Sequence, residues 1–264
     1  MLVIKSYLFT SKLRQNLPTN KEIKGVIAIV DKFKGEKREY PGLLQRHEKS
    51  FLIKLAKKTP KCLNSDHFTL LALFSALLIS LCYYLGPKFP HLYLLASIFW
   101  FFHWLFDALD GTLARIRHRE RPRYGFYTDH LIDCISVSVI GISFALSGIS
   151  NSLIWLVLTV IILLFFIHQF LRVSVGENFV VGISVFKIGS TEARVLVSLI
   201  SVFLYFYTTS RISTYFPNLI DLIGLFGLFF LIVVFAIETV PTIFKLKKID
   251  ENKLKQKVRK HKKK

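Results

Sequence analysis

Cysteine is scarce in this chain, and what there is does not cluster. Cys62, Cys82 and Cys134 lie far apart with no metal-ligand spacing, which excludes a disulfide framework and a cysteine-built zinc site. Two of them fall within apolar segments and read as small apolar fillers. Acidic residues are also few: 17 Asp and Glu stand against 36 Lys and Arg, for a formal net charge of +19. The first twenty residues hold Lys5, Lys12 and Arg14 and lack a sustained apolar run, so no cleavable secretory signal is expected. No internal repeat is evident.

Apolar surface is abundant. Of 264 residues 52% are hydrophobic, 25 of them Phe, and the mean hydropathy is +0.46. That is too apolar for an ordinary soluble domain, and with basic ends it fits a polytopic membrane protein. Six apolar stretches can be read: about Phe68 to Leu85, His91 to Ile116, Phe126 to Ile149, Leu153 to Val173, Ala193 to Ser210 and Leu219 to Phe244. The fifth is the weakest, because its uncharged core, Val195 to Ser210, falls short of the roughly 20 residues that span a bilayer comfortably.

Six spans also sort the charges. Nearly all of the 36 basic residues precede the first span, lie between the second and third or the fourth and fifth, or follow the last; only Lys88 and Arg211 fall on the opposite side. Cytoplasmic loops carry the excess of Lys and Arg, so both termini are predicted to be cytoplasmic. The expected class is therefore an all-α, multi-pass membrane bundle with about six transmembrane helices.

The flanks differ from the bundle. Residues 1–65 form a basic N-terminal region with a short β-like run at Val26 to Val30. From Pro41 to Lys58, Leu44, Phe51, Leu52 and Leu55 alternate with Arg46, Lys49, Lys54 and Lys58. That pattern predicts an amphipathic interfacial helix, lying on the anionic leaflet or packed on the cytoplasmic face of the bundle. Residues 66–245 form the membrane domain. Residues 246–264 are a Lys-rich tail expected to be solvated and partly disordered. Its charge sits at the membrane boundary without interleaved aromatics, so no nucleic-acid partner is expected.

Four carboxylates stand out against this apolar background. Asp107 and Asp110 are three apart and Asp129 and Asp133 four apart, so on helices each pair projects from one face. A charged side chain within a span costs about 2.5–3.5 kcal/mol on insertion scales. Four of them together need a cation or a water-filled cavity. All-oxygen ligation favours Mg²⁺ or Mn²⁺, with Ca²⁺ admissible, and two pairs can supply two cations roughly 4 Å apart.

The run Asp107-Ala-Leu-Asp110-Gly111-Thr-Leu-Ala114-Arg115, followed after Tyr124 by Gly125-Phe-Tyr-Thr-Asp129-His-Leu-Ile-Asp133, resembles the signature of the CDP-alcohol phosphatidyltransferase family. All eight specified positions are present, a far more specific signal than a lone glycine motif. The resemblance implies that Asp107, Asp110 and Asp129 ligate a two-metal site. Asp133 then ligates or acts as the base. Metals hold the pyrophosphate of a CDP-linked lipid or CDP-alcohol, an alcohol oxygen attacks phosphorus, and CMP departs. Gly111 and Ala114, one turn apart, would let a nucleotide approach the backbone, or else serve tight helix packing in lipid. Arg115 would pair with phosphate oxygens, beside Gly125. The stretch Asn64 to Thr69 is similar to the polar start of the family's first helix, which makes Asp66 and Thr69 candidate nucleotide contacts or, equally, helix caps.

Beyond the signature, Ser190 or Thr191 is placed to cap the fifth span, and Arg194 or Arg172 to receive an acceptor phosphate. His130, beside Asp129, reads as a supporting partner rather than a ligand. Arg117, Arg119, Arg121 and Arg123 read as topology signals. The leading function is transfer of a phosphatidyl group from CDP-diacylglycerol to a small polar alcohol. The runner-up moves a headgroup phosphate from a soluble CDP-alcohol to diacylglycerol. Membrane lipids are partners in both, and the resemblance also implies a homodimer. A cation transporter is the reading from another class. It would place ionisable groups along a route to both faces, whereas these aspartates gather at one end.

Overall fold

The computed structural model describes residues 38–39, 45–175, 179–180 and 190–261. All of these belong to one of two compact units of the chain, Glu36–Lys264. The β-like run at Val26 to Val30, with Pro41 and Leu44 of the amphipathic pattern, lies outside the described residues.

Six long apolar helices form the bundle: α2 (Ser65–Leu85), α3 (His91–Ile116), α4 (Pro122–Leu146), α5 (Ser152–Ser174), α6 (Ser190–Thr209) and α8 (Leu219–His261). A short helix α7 (Ile212–Tyr215) turns the chain between α6 and α8, and α1 (Gln45–Lys58) precedes the first span. Two dipeptides, β1 (Arg38–Glu39) and β2 (Phe179–Val180), pair in parallel. The chain is an all-α, integral multi-pass membrane protein. Helix α3 packs against α2 and α6, α2 against α4, α4 against α5, and α5 against α8.

The weak fifth span resolves through its polar N-terminal turn. Ser190, Thr191, Glu192 and Arg194 join the helix, giving 20 residues, about 30 Å at 1.5 Å per residue and enough to cross the hydrocarbon core.

The expected disorder of the C-terminal tail is not what the structure shows: α8 runs unbroken through Pro241 to His261. Helix nucleation is the costly step, and the preceding span supplies it. Beyond Pro241 the sequence is rich in Lys, a good helix former, with no Gly or Pro before His261.

The bundle has two packed regions. Away from the aspartates, Ala76, Ile79, Tyr83, Tyr93, Phe144 and Leu204 belong to one buried cluster. Several of its polar atoms find partners across helices, while Tyr93 Oη is buried without one. Tyr83 Oη lies 2.7 Å from Ser201 Oγ and accepts from Trp100 Nε1 at 2.9 Å, and Ser80 Oγ donates to the Val139 carbonyl at 3.0 Å. Helices α4 and α5 approach so closely at Gly141 that an added Cβ would lie 2.1 Å from Thr159 Oγ1.

The second cluster, at the aspartate end, joins Leu52 and Ala56 of α1 to Phe68, Leu109 and Leu113. Between the two placements open for the amphipathic helix, its buried face packs on the bundle, while Phe51 stays 47% exposed. Arg117 secures the segment that follows, donating to the carbonyls of Thr59 at 3.0 Å, Pro60 at 2.9 Å and also Leu63.

Candidate active site

Helix α3 carries Asp107 and Asp110 on one face, and α4 brings Asp129 and Asp133 to it. Ligand atoms of Asp107, Asp110 and Asp129 all lie within 4.8 Å of one another. Like charges this close repel, and the donors are all oxygens. That set suits a hard divalent cation and offers nothing to zinc.

Asp110 is buried and held by the start of α2. Thr69 Oγ1 donates to its Oδ2 at 2.9 Å, and Ser65 Oγ donates to its backbone carbonyl at 2.9 Å. The N-terminus of α2 is itself set by Asn64 in extended conformation (φ −105°, ψ 168°), whose N–H donates to His67 Nδ1 at 3.1 Å. Asn64, not Asp66 or Thr69, therefore occupies the cap position. Thr69 is committed to a carboxylate of the site. Asp66 forms an ion pair with Arg121, and the Arg121 guanidinium sits 4.4 Å from the centre of the Tyr124 ring. Two of the four arginines read as topology signals, Arg117 and Arg121, thus also hold loop geometry beside the site.

Asp133 stands outside the trio. Arg194, from the first turn of α6, donates from Nη1 to Asp107 Oδ2 at 2.7 Å and places Nη2 3.8 Å from Asp133 Oδ1. Only 15% of its side chain is exposed. One guanidinium thus spans both helices that supply the aspartates, a use of its fork that lysine could not reproduce.

The remaining signature residues differ in setting. Gly111 faces Arg115, whose Nη1 would lie 3.3 Å from an added Cβ, so in this conformation the room left by the missing side chain is used by that guanidinium. Arg115 Nη2 donates to Thr112 Oγ1 at 3.2 Å. Ala114 is half-buried one turn along. Gly125 is exposed, and an added Cβ there would meet nothing within 4 Å. His130 is buried between Phe126 and Phe170, with ring centroids 4.3 and 4.9 Å away. Thr191 Oγ1 donates to Glu48 Oε2 at 2.9 Å and accepts at 3.3 Å from Nε1 of Trp104, one turn before Asp107 on α3.

Glu48 and Trp104 were not singled out by sequence reasoning, and Ser65 was read only within the stretch Asn64 to Thr69, with no role of its own. Ser65 and Trp104 carry a signal only in hindsight of position: one immediately follows a cap, the other lies one turn before Asp107.

A membrane helical bundle with a carboxylate cluster at the end of two spans defines a multi-pass membrane protein with a candidate divalent-cation site. Residues 63–237 match the CDP-alcohol phosphatidyltransferase family, and the chain belongs to that family. Its members are transferases of substituted phosphate groups acting in phospholipid synthesis on CDP-alcohol substrates and membrane lipids. They are typically dependent on divalent metals, and the aspartate trio is compatible with that requirement. No curated protein sequence matches the chain closely enough to add a named relative.

Proposed function

We propose that the protein transfers a phosphatidyl group from CDP-diacylglycerol to a small polar alcohol and releases CMP. The observation that carries the metal-assisted transfer chemistry is the Asp107–Asp110–Asp129 trio, at the end of two apolar spans. Asp107, Asp110, Asp129 and Asp133 would hold Mg²⁺ or Mn²⁺ in a two-metal site. Bound there, the ions supply Lewis-acid polarisation of phosphoryl oxygens and neutralise charge on the leaving group.

The chain's own groups supply the rest. Asp133 takes the proton of the attacking hydroxyl as its oxygen bonds to the lipid-side phosphorus; the bond from that phosphorus to the CMP oxygen breaks, and CMP leaves with the electron pair. Arg194, already seated between Asp107 and Asp133, is placed to steady charge beside the incoming alcohol, with Arg172 as the second candidate for an acceptor phosphate. Gly125, open to its surroundings, leaves room for the nucleotide, and Arg115, next to Gly111 and Ala114, is in reach of its phosphates by rotation of an exposed side chain. Asp66 and Thr69 contribute at the start of α2, Thr69 through its bond to Asp110.

The distribution of Lys and Arg supports a cytoplasmic placement of the site and both termini. Labelling of single cysteines introduced at Arg119 and near each terminus should find all three accessible from that side.

The test is CMP release by the purified protein from CDP-diacylglycerol against glycerol 3-phosphate, inositol phosphate, serine and ethanolamine, with Mg²⁺ or Mn²⁺ and with chelator. Metal-dependent release with one acceptor supports the reading. Undiminished turnover in chelator overturns the two-metal site. Activity from CDP-ethanolamine plus diacylglycerol, but not from CDP-diacylglycerol, replaces the reading by its runner-up with the same site.

A further inference from the structure

Helix α1 packs on the aspartate end of the bundle, and its polar contact reaches the elements that carry the aspartates. Thr191 lies one turn before Arg194 on α6, and Trp104 one turn before Asp107 on α3. Thr191 Oγ1 accepts from Trp104 Nε1 at 3.3 Å and donates to Glu48 Oε2 at 2.9 Å. The next rung along the same two helices is Arg194 Nη1 to Asp107 Oδ2 at 2.7 Å. A hydroxyl has one proton to give. With that proton committed to Glu48, the lone pairs of Thr191 face the indole, and rotation of the hydroxyl is restricted.

The backing of Glu48 is fixed as well. Leu52, one turn further along α1, is buried against the cluster containing Leu109 and Leu113, which flank Asp110 on α3. Arg117 holds the chain just past the C-terminus of α1 through three carbonyls. The carboxylate of Glu48 is therefore presented from a helix anchored C-terminal to it, by Leu52 in the core and by Arg117 past the helix end.

We infer that Glu48 is a positioning residue for the transfer reaction: through Thr191 and Trp104 it sets the register of α6 against α3 and so seats Arg194 between Asp107 and Asp133. The inference rests on the transferase reading for its kinetic consequence and on geometry alone for its spectroscopic one. Glu48 makes no contact with substrate in this scheme. Its loss loosens the placement of a group that does, and displacement of about 1 Å at a reacting centre can cost up to a hundredfold in rate.

The experiment uses the full chain in detergent or lipid. Glu48→Ala and Thr191→Val should each lower kcat for CMP release about tenfold, with KM for CDP-diacylglycerol changed less than kcat because no side chain that would bind the donor is replaced. Glu48→Gln, which keeps an oxygen acceptor, should recover most of the rate. The double variant Glu48→Ala/Thr191→Val should be no slower than the slower single variant, since both break one linkage. Thr191→Val changes no volume to speak of, so it keeps the test valid if Glu48→Ala fails to fold.

A second readout needs no turnover. With 5-fluorotryptophan in place of the three tryptophans, the ¹⁹F resonance assigned to Trp104 should shift in Thr191→Val and Glu48→Ala and stay put in Glu48→Gln, while those of Trp100 and Trp155 do not move. Multiplicative losses in the double variant, equal impairment of Glu48→Ala and Glu48→Gln, or an unmoved Trp104 resonance would overturn the inference. Absence of CMP release from wild type with either kind of donor would instead defeat the transferase reading, and the ¹⁹F result would still decide the positioning.

Discussion

The two ends of the bundle solve opposite problems with the same helices. At the end around Tyr83, Tyr93 and Phe144, buried polar atoms are paired helix to helix, as in Tyr83 with Ser201 and Trp100, and close approach is secured by Gly141. Neutral hydroxyls paired in this way hold the helices together without gathering charge, although Tyr93 Oη is buried there with no hydrogen-bond partner. At the other end, three carboxylates converge within 4.8 Å, and the guanidinium of Arg194 bonds Asp107 and approaches Asp133. Gathering anions where water is scarce stores electrostatic free energy that a divalent cation releases. The difference teaches where to look for chemistry in a membrane bundle. Satisfied polar pairs mark the scaffold, and converging like charges mark the site.

The contrast is broken most severely at Asp110. Asp110→Asn keeps the size and the bond from Thr69 but removes one negative charge from the trio, so CMP release should fall on the order of a thousandfold. The melting temperature in detergent should hold or rise, because repulsion is relieved. Full activity in this variant would show that the converging charges are not the reaction centre. Asp133→Asn comes next. It removes the proposed base while leaving an acceptor for Arg194, and turnover measured at equal folded protein should drop on the order of a hundredfold.

Much of this contrast was legible in the sequence. Charges at i, i+3 and i, i+4 on two apolar segments placed Asp107, Asp110, Asp129 and Asp133 at one end, and the six spans followed from apolar runs alone. Long-range partners were less visible. Arg194 was flagged only as one of two phosphate candidates, because nothing in local spacing says that the fifth span returns to the second. Glu48 carried no pattern at all, and Ser65 was read only as part of the polar stretch that opens the first span. Both bond to groups more than forty positions away, and a single polar residue has no period to read. The tail was misread for a related reason: composition describes the solvent-facing charge but not the helix already nucleated by the span before it.

At the scaffold end the expected effects are on stability. Gly141→Ala puts a methyl 2.1 Å from Thr159 Oγ1, so α4 and α5 must separate or Thr159 must leave its bond to the Trp155 carbonyl. Overpacking of this kind costs about 1–3 kcal/mol. Thermal melting should register that loss, while activity per folded molecule should stay near wild type. A selective loss of turnover at unchanged stability would show that the two ends are not separable in the way their polar pairing suggests.

The smallest effect sharpens the boundary of the site. Arg119 lies among arginines that include Arg117 and Arg121, both of which hold loop structure, but the role of Arg119 in the fold is in its backbone. His118 takes a left-handed conformation (φ 52°), and the N–H groups of His118 and Arg119 close α3 by donating to the carbonyls of Arg115 at 3.2 Å and Ala114 at 3.0 Å. This pair of bonds ends a helix whatever side chain follows. The side chain itself is exposed, where substitutions usually change stability by no more than about 0.5 kcal/mol. Arg119→Gln should therefore keep CMP release within about twofold of wild type when insertion is matched. A severe loss would move the boundary of the site outward to the α3–α4 loop and give that loop a share in substrate binding.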